Sequence, residues 1–187
     1  LPPFLPEHAM SADVHSIDPY EVRPLRTGEA REAELLADMW NRSDEGWPGG
    51  WTGGTPATAE RMQREFLSSN SYGQWVCQHE GEIVGYVSLE ANPNQPQHAY
   101  IGLLNARPDH HGKGVGRRLL RRALQKAIDA GFERVDINTW PANRKAVPLY
   151  KKTGFFWSPE TSVLMQNFIP TILRMPLLAD LFEGHDW

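Results

Sequence analysis

The stretch HGKGVG, residues 111–116, decides the fold of this chain. It follows an apolar run and opens a basic segment with helical periodicity. Glycine at every second position lets the backbone approach a ligand without interference from Cβ atoms. The first N–H groups of a helix have no partner within it, and the helix dipole favours negative charge there. The stretch therefore predicts a cradle for a pyrophosphate.

Two other phosphate-binding loops are excluded by their spacing. A Walker A loop needs Gly five residues before its Gly-Lys pair and Ser or Thr after it, but Arg107 and Gly114 occupy those places. A dinucleotide fingerprint that starts at Gly114 needs Gly or Ala at position 119, which is Leu119. The phosphate-bearing ligand must therefore belong to another class.

The charge of the chain is divided unevenly along its length. The 187 residues carry 19 Lys and Arg against 23 Asp and Glu, a formal net charge of −4. Residues 107–152, around the glycine stretch, hold twelve of the basic and four of the acidic residues. A basic block suits a polyanionic ligand, whereas the acidic remainder either meets a cationic partner or forms a solvated surface. Signatures of a nucleic-acid module are missing, so no nucleic-acid partner is expected.

Cysteine use and hydropathy predict the compartment. Cys77 is the single cysteine, which excludes an internal disulfide, and we interpret it as a small buried strand residue. Charged residues and prolines interrupt the apolar residues 163–182, so no simple membrane span is predicted. We expect a cytoplasmic protein with no membrane partner.

Apolar periodicity and turn signals predict alternating strands and helices. The clearest helical stripe follows the glycine stretch and is formed by Val115, Leu119, Leu120, Ala123, Ala127 and Ile128. The expected elements, in order, are strand 20–25, helix 29–40, helix 59–68 capped by Thr58, hairpin strands 74–78 and 82–89, strand 99–106, helix 114–130, strand 134–139, helix 143–153, strands 155–157 and 162–168, and helix 171–182.

Two motifs in this order resemble a known family. His111-x-x-Gly114-x-Gly116 resembles the Gln/Arg-x-x-Gly-x-Gly/Ala signature of the GNAT superfamily of acyl-CoA-dependent N-acetyltransferases, with His111 in place of the usual Gln or Arg. The second block, over residues 143–155, reads Asn-x-x-Ala-x-x-Leu-Tyr-x-x-x-Gly-Phe and stands at the distance expected in that family. The resemblance is specific over residues 99–156.

The resemblance implies the fold and the domain organisation. It implies an α/β (α+β) domain with a mixed, mostly antiparallel sheet, flanked by helices, whose fourth and fifth strands splay apart. Those strands would be residues 99–106 and 134–139. The GNAT domain would span residues 19–160. Residues 1–18 are then a disordered or cloning-derived segment, and residues 161–187 an extension that packs on the domain or on a partner.

The resemblance also implies acetyl-CoA as the acyl donor, with no metal. Pantetheine would pair with the free edge of the fourth strand near Leu104 and Ala106, and the backbone N–H groups of residues 112–117 would hold the pyrophosphate. The full set of expected cofactor-binding residues is Leu104, Asn105, Ala106, His111, Gly112, Lys113, Gly114, Val115, Gly116, Arg117, Asn143 and Tyr150.

Tyr150 is the expected catalytic acid. An amine that attacks a thioester expels a thiolate, and a nearby phenol can supply its proton. The matching tyrosine of the family usually has this role, and Asn143 matches a polar position near the pantetheine arm. Many relatives use a carboxylate of the fourth strand as the base, but residues 99–106 contain none. Glu90, the candidate we favour, is therefore considered beside His98 and Asp136.

A segment rich in Gly, Pro and Trp, residues 44–54, is expected to border the acceptor site. Trp47 and Trp51 could clamp a cationic or apolar amine, with Asp44 beside them. Three functions stay open. The first is acetyl transfer to a primary amine by direct attack in a ternary complex, the second is decarboxylation or S-acyl transfer on the same fold, and the third is non-catalytic acyl-CoA binding. A homodimer also stays open.

Overall fold

The computed structural model describes residues 18–44, 47, 50, 52–69, 71–140 and 143–156. Two compact units divide the chain, Leu1–Thr153 and Gly154–Trp187, and the elements below belong to the first. They are β1 (Glu21–Pro24), α1 (Ala30–Asn41), α2 (Ala59–Met62, continued by a π-helical turn, Gln63–Leu67), β2 (Gly73–His79), β3 (Glu82–Ala91), β4 (His98–Ala106), a 3-10 turn (Pro108–His110), α3 (Val115–Asp129), β5 (Arg134–Ile137) and α4 (Ala146–Lys152).

The five described strands form one sheet in chain order, β1-β2-β3-β4-β5. The first four strands are antiparallel neighbours, whereas β5 lies parallel to β4. The predicted hairpin is confirmed, since β2 and β3 are joined by Glu80 and Gly81, both with positive φ. A parallel pair needs a crossover connection, and α3 provides it. The mixed, mostly antiparallel sheet flanked by helices is therefore confirmed.

The fourth and fifth strands separate halfway along β4. Their pairing runs from His98↔Arg134 to Ile101↔Ile137 and no further. At the same point Ser88 pairs with Leu103 and Leu89 with Ile101, which leaves Gly102 as the extra residue of a β-bulge. A bulge bends its strand and increases the local twist. The end of β4 after Gly102 therefore leaves β5 and opens a cleft.

Helices cover both faces of the sheet. Trp40 of α1 lies against Phe66 and Tyr86, with ring centroids 5.6 and 6.1 Å away, and this cluster forms the core on one face. On the other face, α3 contacts β2, β3 and β4. Five members of its predicted stripe are buried, Val115, Leu119, Leu120, Ala123 and Ala127.

The expectation that Ile128 belongs to the buried stripe of α3 is wrong, because its side chain is 69% exposed. Successive residues of an α-helix are about 100° apart, so Ile128 is turned away from Ala127 and from the sheet. Gly85 explains how closely the opposite end of α3 approaches β3. A Cβ there would lie 2.7 Å from a Val115 methyl carbon and 2.8 Å from one of Leu119. This contact fixes the start of α3 beside the glycine loop.

Most helices and strands begin and end within a few residues of the predicted positions. The predicted cap is confirmed, because Thr58 Oγ1 accepts the Arg61 N–H at 3.2 Å. The last elements differ most. α4 begins at Ala146, three residues after the predicted start, and β5 ends at Ile137, two residues early. Residues 155–156 are not in a strand, contrary to prediction. Residue 157, the predicted strand 162–168 and the predicted helix 171–182 lie outside the described residues.

Candidate functional site

A cavity of about 990 Å³ lies where β4 and β5 part. Its walls come from the parted half of β4, the glycine loop, the residues that follow β5, and α4. Trp47 adds a wall from the connection between α1 and α2. The lining residues used below are Tyr100, Gly102, Leu104, Ala106, His111, Lys113, Gly114, Arg117, Arg118, Trp140, Asn143, Lys145, Tyr150 and Lys152. The cleft thus unites both sequence motifs.

The glycine loop owes its shape to two left-handed residues. Gly112 and Gly114 have φ of 78° and 82°, a region that residues with a side chain rarely occupy. Gly114 is the N-cap of α3, and no side chain caps the first turn of this 15-residue helix. The first N–H groups of α3 therefore lack side-chain acceptors at the edge of the cavity, as the anion-cradle prediction requires.

Positive charge surrounds the cavity. Five of its lining residues are cationic, and none of the described lining residues is Asp or Glu. Arg118 is paired with Asp18 at 2.6 Å, and its Nη1 donates to the Lys113 carbonyl at 2.9 Å, which braces the loop. Within the described part of the chain, no ion pair engages the other four, which are Lys113, Arg117, Lys145 and Lys152. Unpaired cations around a cavity favour an anionic ligand.

His111 joins the two sides of the cleft. Its Nε2 donates to the Ala106 carbonyl at 2.9 Å, because a carbonyl only accepts. Its Nδ1 accepts from the Lys145 ammonium at 3.1 Å, because an ammonium only donates. The two hydrogen bonds together assign the tautomer with its proton on Nε2 and Nδ1 as the acceptor.

Tyr150 lies on α4 and faces the cavity, with 9% of its surface exposed. Burial, and to a smaller degree the neighbouring Tyr100, raises the pKa of its phenol to about 12. The hydroxyl therefore keeps its proton throughout the neutral range. A neutral phenol at the wall of the cavity is a proton donor, as a general acid must be.

Asn143 uses both atoms of its side-chain amide within the protein. Its Oδ1 accepts the Ala146 N–H at 3.0 Å, and its Nδ2 donates to Thr139 Oγ1 at 3.0 Å. The residue lines the cavity and also holds the turn between β5 and α4. Pro148 has no N–H to continue the turn that these bonds begin, so the regular helix starts only at Ala146.

The three candidate bases lie outside the cavity lining. Glu90 lies on β3, where its carboxylate accepts from Ser88 Oγ at 3.3 Å and covers Gly102 of the cavity wall. His98 begins β4, at the opposite end from the glycine loop. Asp136 accepts from Arg134 Nε at 2.7 Å. Glu90 is therefore the candidate whose carboxylate lies beside a lining residue, Gly102, although it lines a separate pocket with Ser69, Ser71 and Tyr72.

The three predicted acceptor residues have different places. Trp47 lines the cavity, and its ring lies 6.3 Å from Trp40 and 6.1 Å from Trp140, centroid to centroid. Asp44 is not a lining residue, and its Oδ1 accepts the Thr52 N–H at 2.6 Å, which closes the loop on itself. Trp51 lies outside the described residues.

Tyr100, Arg118, Trp140 and Lys145 are among the lining residues that sequence analysis missed. Lys145 belongs to the basic block and lies inside the second motif, so its position gave a usable signal. Trp140 gave none, because it follows a strand and has no periodic neighbours. In the described residues, no group of three or more His, Cys, Asp or Glu could hold a metal ion, and no helix is long and apolar enough to cross a membrane.

The sheet that parts beside a glycine loop is the arrangement that the sequence motifs predict, so fold and cleft define a protein of the GNAT fold class. A sequence model of the Acetyltransferase (GNAT) family matches residues 36–155, more than half of the chain. The chain belongs to this family.

Relatives and solved structures agree with this assignment. N-acetyltransferase 8 of Rattus norvegicus is 27% identical over 124 residues, which are 65% of this chain and 56% of that protein. The chain spans about half the length of the curated relatives it matches.

Two solved structures share the fold at low identity. The aminoglycoside acetyltransferase meta-AAC0020 from an uncultured soil metagenomic sample, in complex with trehalose, has a TM-score of 0.62 and 18% identity, and the match covers 81% of this chain and 97% of that one. AAC(6')-Iy, in complex with a CoA-containing bisubstrate analog, has a TM-score of 0.57 and 12% identity, with 80% and 99% covered.

Proposed function

We propose that this chain transfers an acetyl group from acetyl-CoA to a primary amine of a small-molecule or peptide acceptor. The observation that carries the proposal is the cavity of about 990 Å³ in which the parted strands, the glycine loop and five cations meet. Acetyl-CoA carries three phosphates at the nucleotide end of a long, narrow pantetheine arm, and this cleft combines a long gap with positive charge. A CoA-containing analog in a structure of the same fold supports the same donor.

Different parts of the cleft would bind different parts of acetyl-CoA. The open N–H groups at the start of α3, with Lys113 and Arg117 beside them, would hold the diphosphate. The edge of β4 after Gly102 has no β5 partner and would pair with the amides of pantetheine. Leu104 is the favoured position, because the Ala106 carbonyl already accepts from His111.

The reaction places a specific demand on Tyr150. The amine nitrogen forms a bond to the thioester carbonyl carbon in a ternary complex, the carbon–sulfur bond breaks, and the thiolate takes a proton. Tyr150 would donate that proton, since burial keeps its phenol protonated. The acceptor must arrive as a free amine, and Glu90 would remove its extra proton from the side of Gly102.

The acceptor would bind against an aromatic wall. Trp47 and Trp140 face the cavity from different segments and touch each other. Trp40 supports Trp47 from the core and is fully buried. Such a wall suits the apolar or cationic part of an amine. Aminoglycosides, polyamines, amino acids and protein N-termini are the classes to test, and the names of the fold neighbours favour including aminoglycosides.

Titration calorimetry with acetyl-CoA is the first test of the proposal. We expect one site per chain, and the absence of any heat of binding would remove acetyl-CoA as the donor. An assay of free CoA thiol over a panel of the four acceptor classes then identifies the amine. If the chain binds acetyl-CoA but releases no CoA thiol with any of the four acceptor classes, the transferase proposal is contradicted.

A second candidate function keeps the fold and the donor class. None of the three candidate bases lines the described cavity wall, and decarboxylation or S-acyl transfer needs no base for an amine. Thiol release or CO₂ formation from malonyl-CoA without any amine would favour this function over acetyl transfer.

A further inference from the structure

Lys145 and His111 both line the cleft and form a hydrogen bond with each other. Lys145 lies directly before α4, on the wall opposite the glycine loop, and its ammonium donates to His111 Nδ1 at 3.1 Å. The other nitrogen of the imidazole donates to the Ala106 carbonyl at 2.9 Å. A chain of two hydrogen bonds thus joins α4, the loop and the end of β4. It crosses the gap where β4 and β5 no longer pair.

The partner of the Lys145 ammonium is weak for a cation. A neutral imidazole supplies one acceptor nitrogen and no opposite charge. No carboxylate of the described residues forms an ion pair with Lys145. An anionic oxygen adds the attraction of an opposite charge, which an uncharged imidazole nitrogen does not supply. An anion in this cavity would therefore replace the imidazole as the acceptor.

The identity of residue 111 fits this exchange. An arginine has no acceptor atom and would repel the Lys145 ammonium. A histidine can donate with one nitrogen and accept with the other at the same time, as His111 does. His111 thus accepts from Lys145, as a glutamine at this position of the family signature could and an arginine could not.

We propose that Lys145 is a phosphate ligand of the acyl-CoA donor, on the wall opposite the glycine loop, and that His111 holds its ammonium there until a phosphate replaces the imidazole. This inference rests on the proposed donor and deepens it. Lys145 makes donor choice depend on phosphate, so acyl-CoA is selected over acyl-pantetheine, which has the same thioester and no diphosphate.

The test compares Lys145→Met with the wild type by titration calorimetry, with CoA, dephospho-CoA and pantetheine as probes. A lost hydrogen bond between charged groups predicts a CoA affinity about 10- to 100-fold weaker, with the pantetheine affinity unchanged. Lys151→Met is the matched control, because it removes a charge from α4, the helix that Lys145 precedes, at an exposed residue that does not line the cavity. We expect wild-type affinity for that variant.

The outcomes separate this inference from the proposed function. An unchanged CoA affinity, or an equal loss for CoA and pantetheine, overturns the role of Lys145 in phosphate binding. If Lys145→Met weakens the binding of CoA but not of dephospho-CoA, the role of Lys145 is supported and its ligand is the 3′-phosphate. If the variant weakens the binding of both, the role is supported and its ligand is the diphosphate. A wild-type protein that binds no CoA at all refutes the proposed function itself.

A double-mutant cycle tests the part of His111. If His111 holds Lys145 in place, Lys145→Met costs less CoA affinity in a His111→Ala background than in the wild type. Fold-changes that simply multiply show that the two residues act independently, and this result overturns the holding role of His111. Circular dichroism of all four proteins, with matching spectra, shows that the comparison concerns folded chains.

Discussion

Tyr150 is the residue on which the proposed chemistry depends most directly. Its burial raises the pKa of the phenol to about 12, so the donor proton is present at every pH that a protein ordinarily meets. A phenol kept neutral in this way can donate a hydrogen bond to a leaving thiolate but is a poor base. The phenol is therefore in the protonated form that a general acid needs, and no phenolate is present near neutral pH to act as the base.

Replacement of Tyr150 by Phe should lower kcat roughly 10²- to 10⁴-fold, because a general acid contributes about that much. The acetyl-CoA affinity should stay within about twofold, since the ring is kept and only the hydroxyl is lost. Steady-state kinetics and calorimetry measure the two quantities. Tyr72→Phe, at an exposed tyrosine outside the cavity, is the control. An unchanged kcat would assign the acid to another group.

The wild-type pH profile checks the same residue. A phenol with a pKa of about 12 is half-ionised at that pH, so deprotonation of Tyr150 should cost little activity below about pH 11. Any fall in kcat with a midpoint below about pH 10 belongs to another group.

Arg23 and Glu32 form a buried ion pair between β1 and α1. Two parallel hydrogen bonds of 2.6 and 3.0 Å join guanidinium and carboxylate, and their side chains are 8% and 2% exposed. Glu32→Gln leaves the guanidinium charge without its counterion. The free energy of unfolding should fall by about 3 kcal/mol or more, measured by urea denaturation.

The exposed pair Arg61–Glu65, at 3.0 Å on one helical face, is the matched control for Glu32→Gln. Glu65→Gln should cost less than about 1 kcal/mol, because solvent screens that pair. Equal losses for the two variants would show that burial does not set the contribution of these ion pairs.

At the scale of elements, one bulge and one close contact shape the site. Gly102 is the extra residue of β4, and the strands part directly after it. A Cβ at Gly102 would collide with the Glu90 carboxylate, so the absent side chain also lets Glu90 reach the cavity wall. Gly85 makes room for α3, because without a side chain there the first turn of the helix can lie on β3 beside the glycine loop.

Gly85→Ala should push the start of α3 away from the sheet. The added Cβ would lie 2.7 Å from Val115 and 2.9 Å from the Asn105 carbonyl, so neighbours must shift. We expect a loss of about 1–3 kcal/mol in stability and a weaker acetyl-CoA affinity. Gly28→Ala is the control, because an added Cβ there meets nothing within 4 Å. Wild-type affinity in the Gly85 variant would show that the cradle tolerates movement of α3.

At the scale of the whole molecule, charge is segregated. The chain has a net charge of −4, yet five cations line the cavity. Positive potential concentrated in a cleft of a net negative protein attracts polyanions to that cleft and repels them elsewhere. The segregation thus guides a phosphate-bearing donor to the site where the sheet is open.

Salt should weaken donor binding. Screening shortens the range of charge interactions, so the dissociation constant of acetyl-CoA should rise roughly tenfold between ~20 mM and ~500 mM NaCl. Pantetheine, which carries no phosphate, is the control and should bind with little change. Calorimetry measures both constants, and a salt-independent constant for acetyl-CoA would contradict an electrostatic contribution by the lining cations.

The sequence by itself determined the family, the order of the elements and the glycine loop. Those features depend on local patterns, such as glycines with positive φ and the 3.6-residue stripe of α3. Interactions between residues that are near in sequence determine such patterns. Ile128 shows the limit, since an apolar residue near a helix end fits the pattern while facing solvent. Pro148 shows another, because its missing N–H interrupts the first turn and delays the regular helix α4 to Ala146.

Only the tertiary structure decided which residues share the cleft. His111 and Lys145 are 34 residues apart in the chain. Trp47 comes from the connection between α1 and α2, and Trp140 from the connection between β5 and α4. No periodicity relates such positions, because their meeting depends on the bulge at Gly102 and on where β5 ends. The chemistry of the site therefore follows from strand pairing between distant parts of the chain, and no local stretch of sequence predicts that pairing.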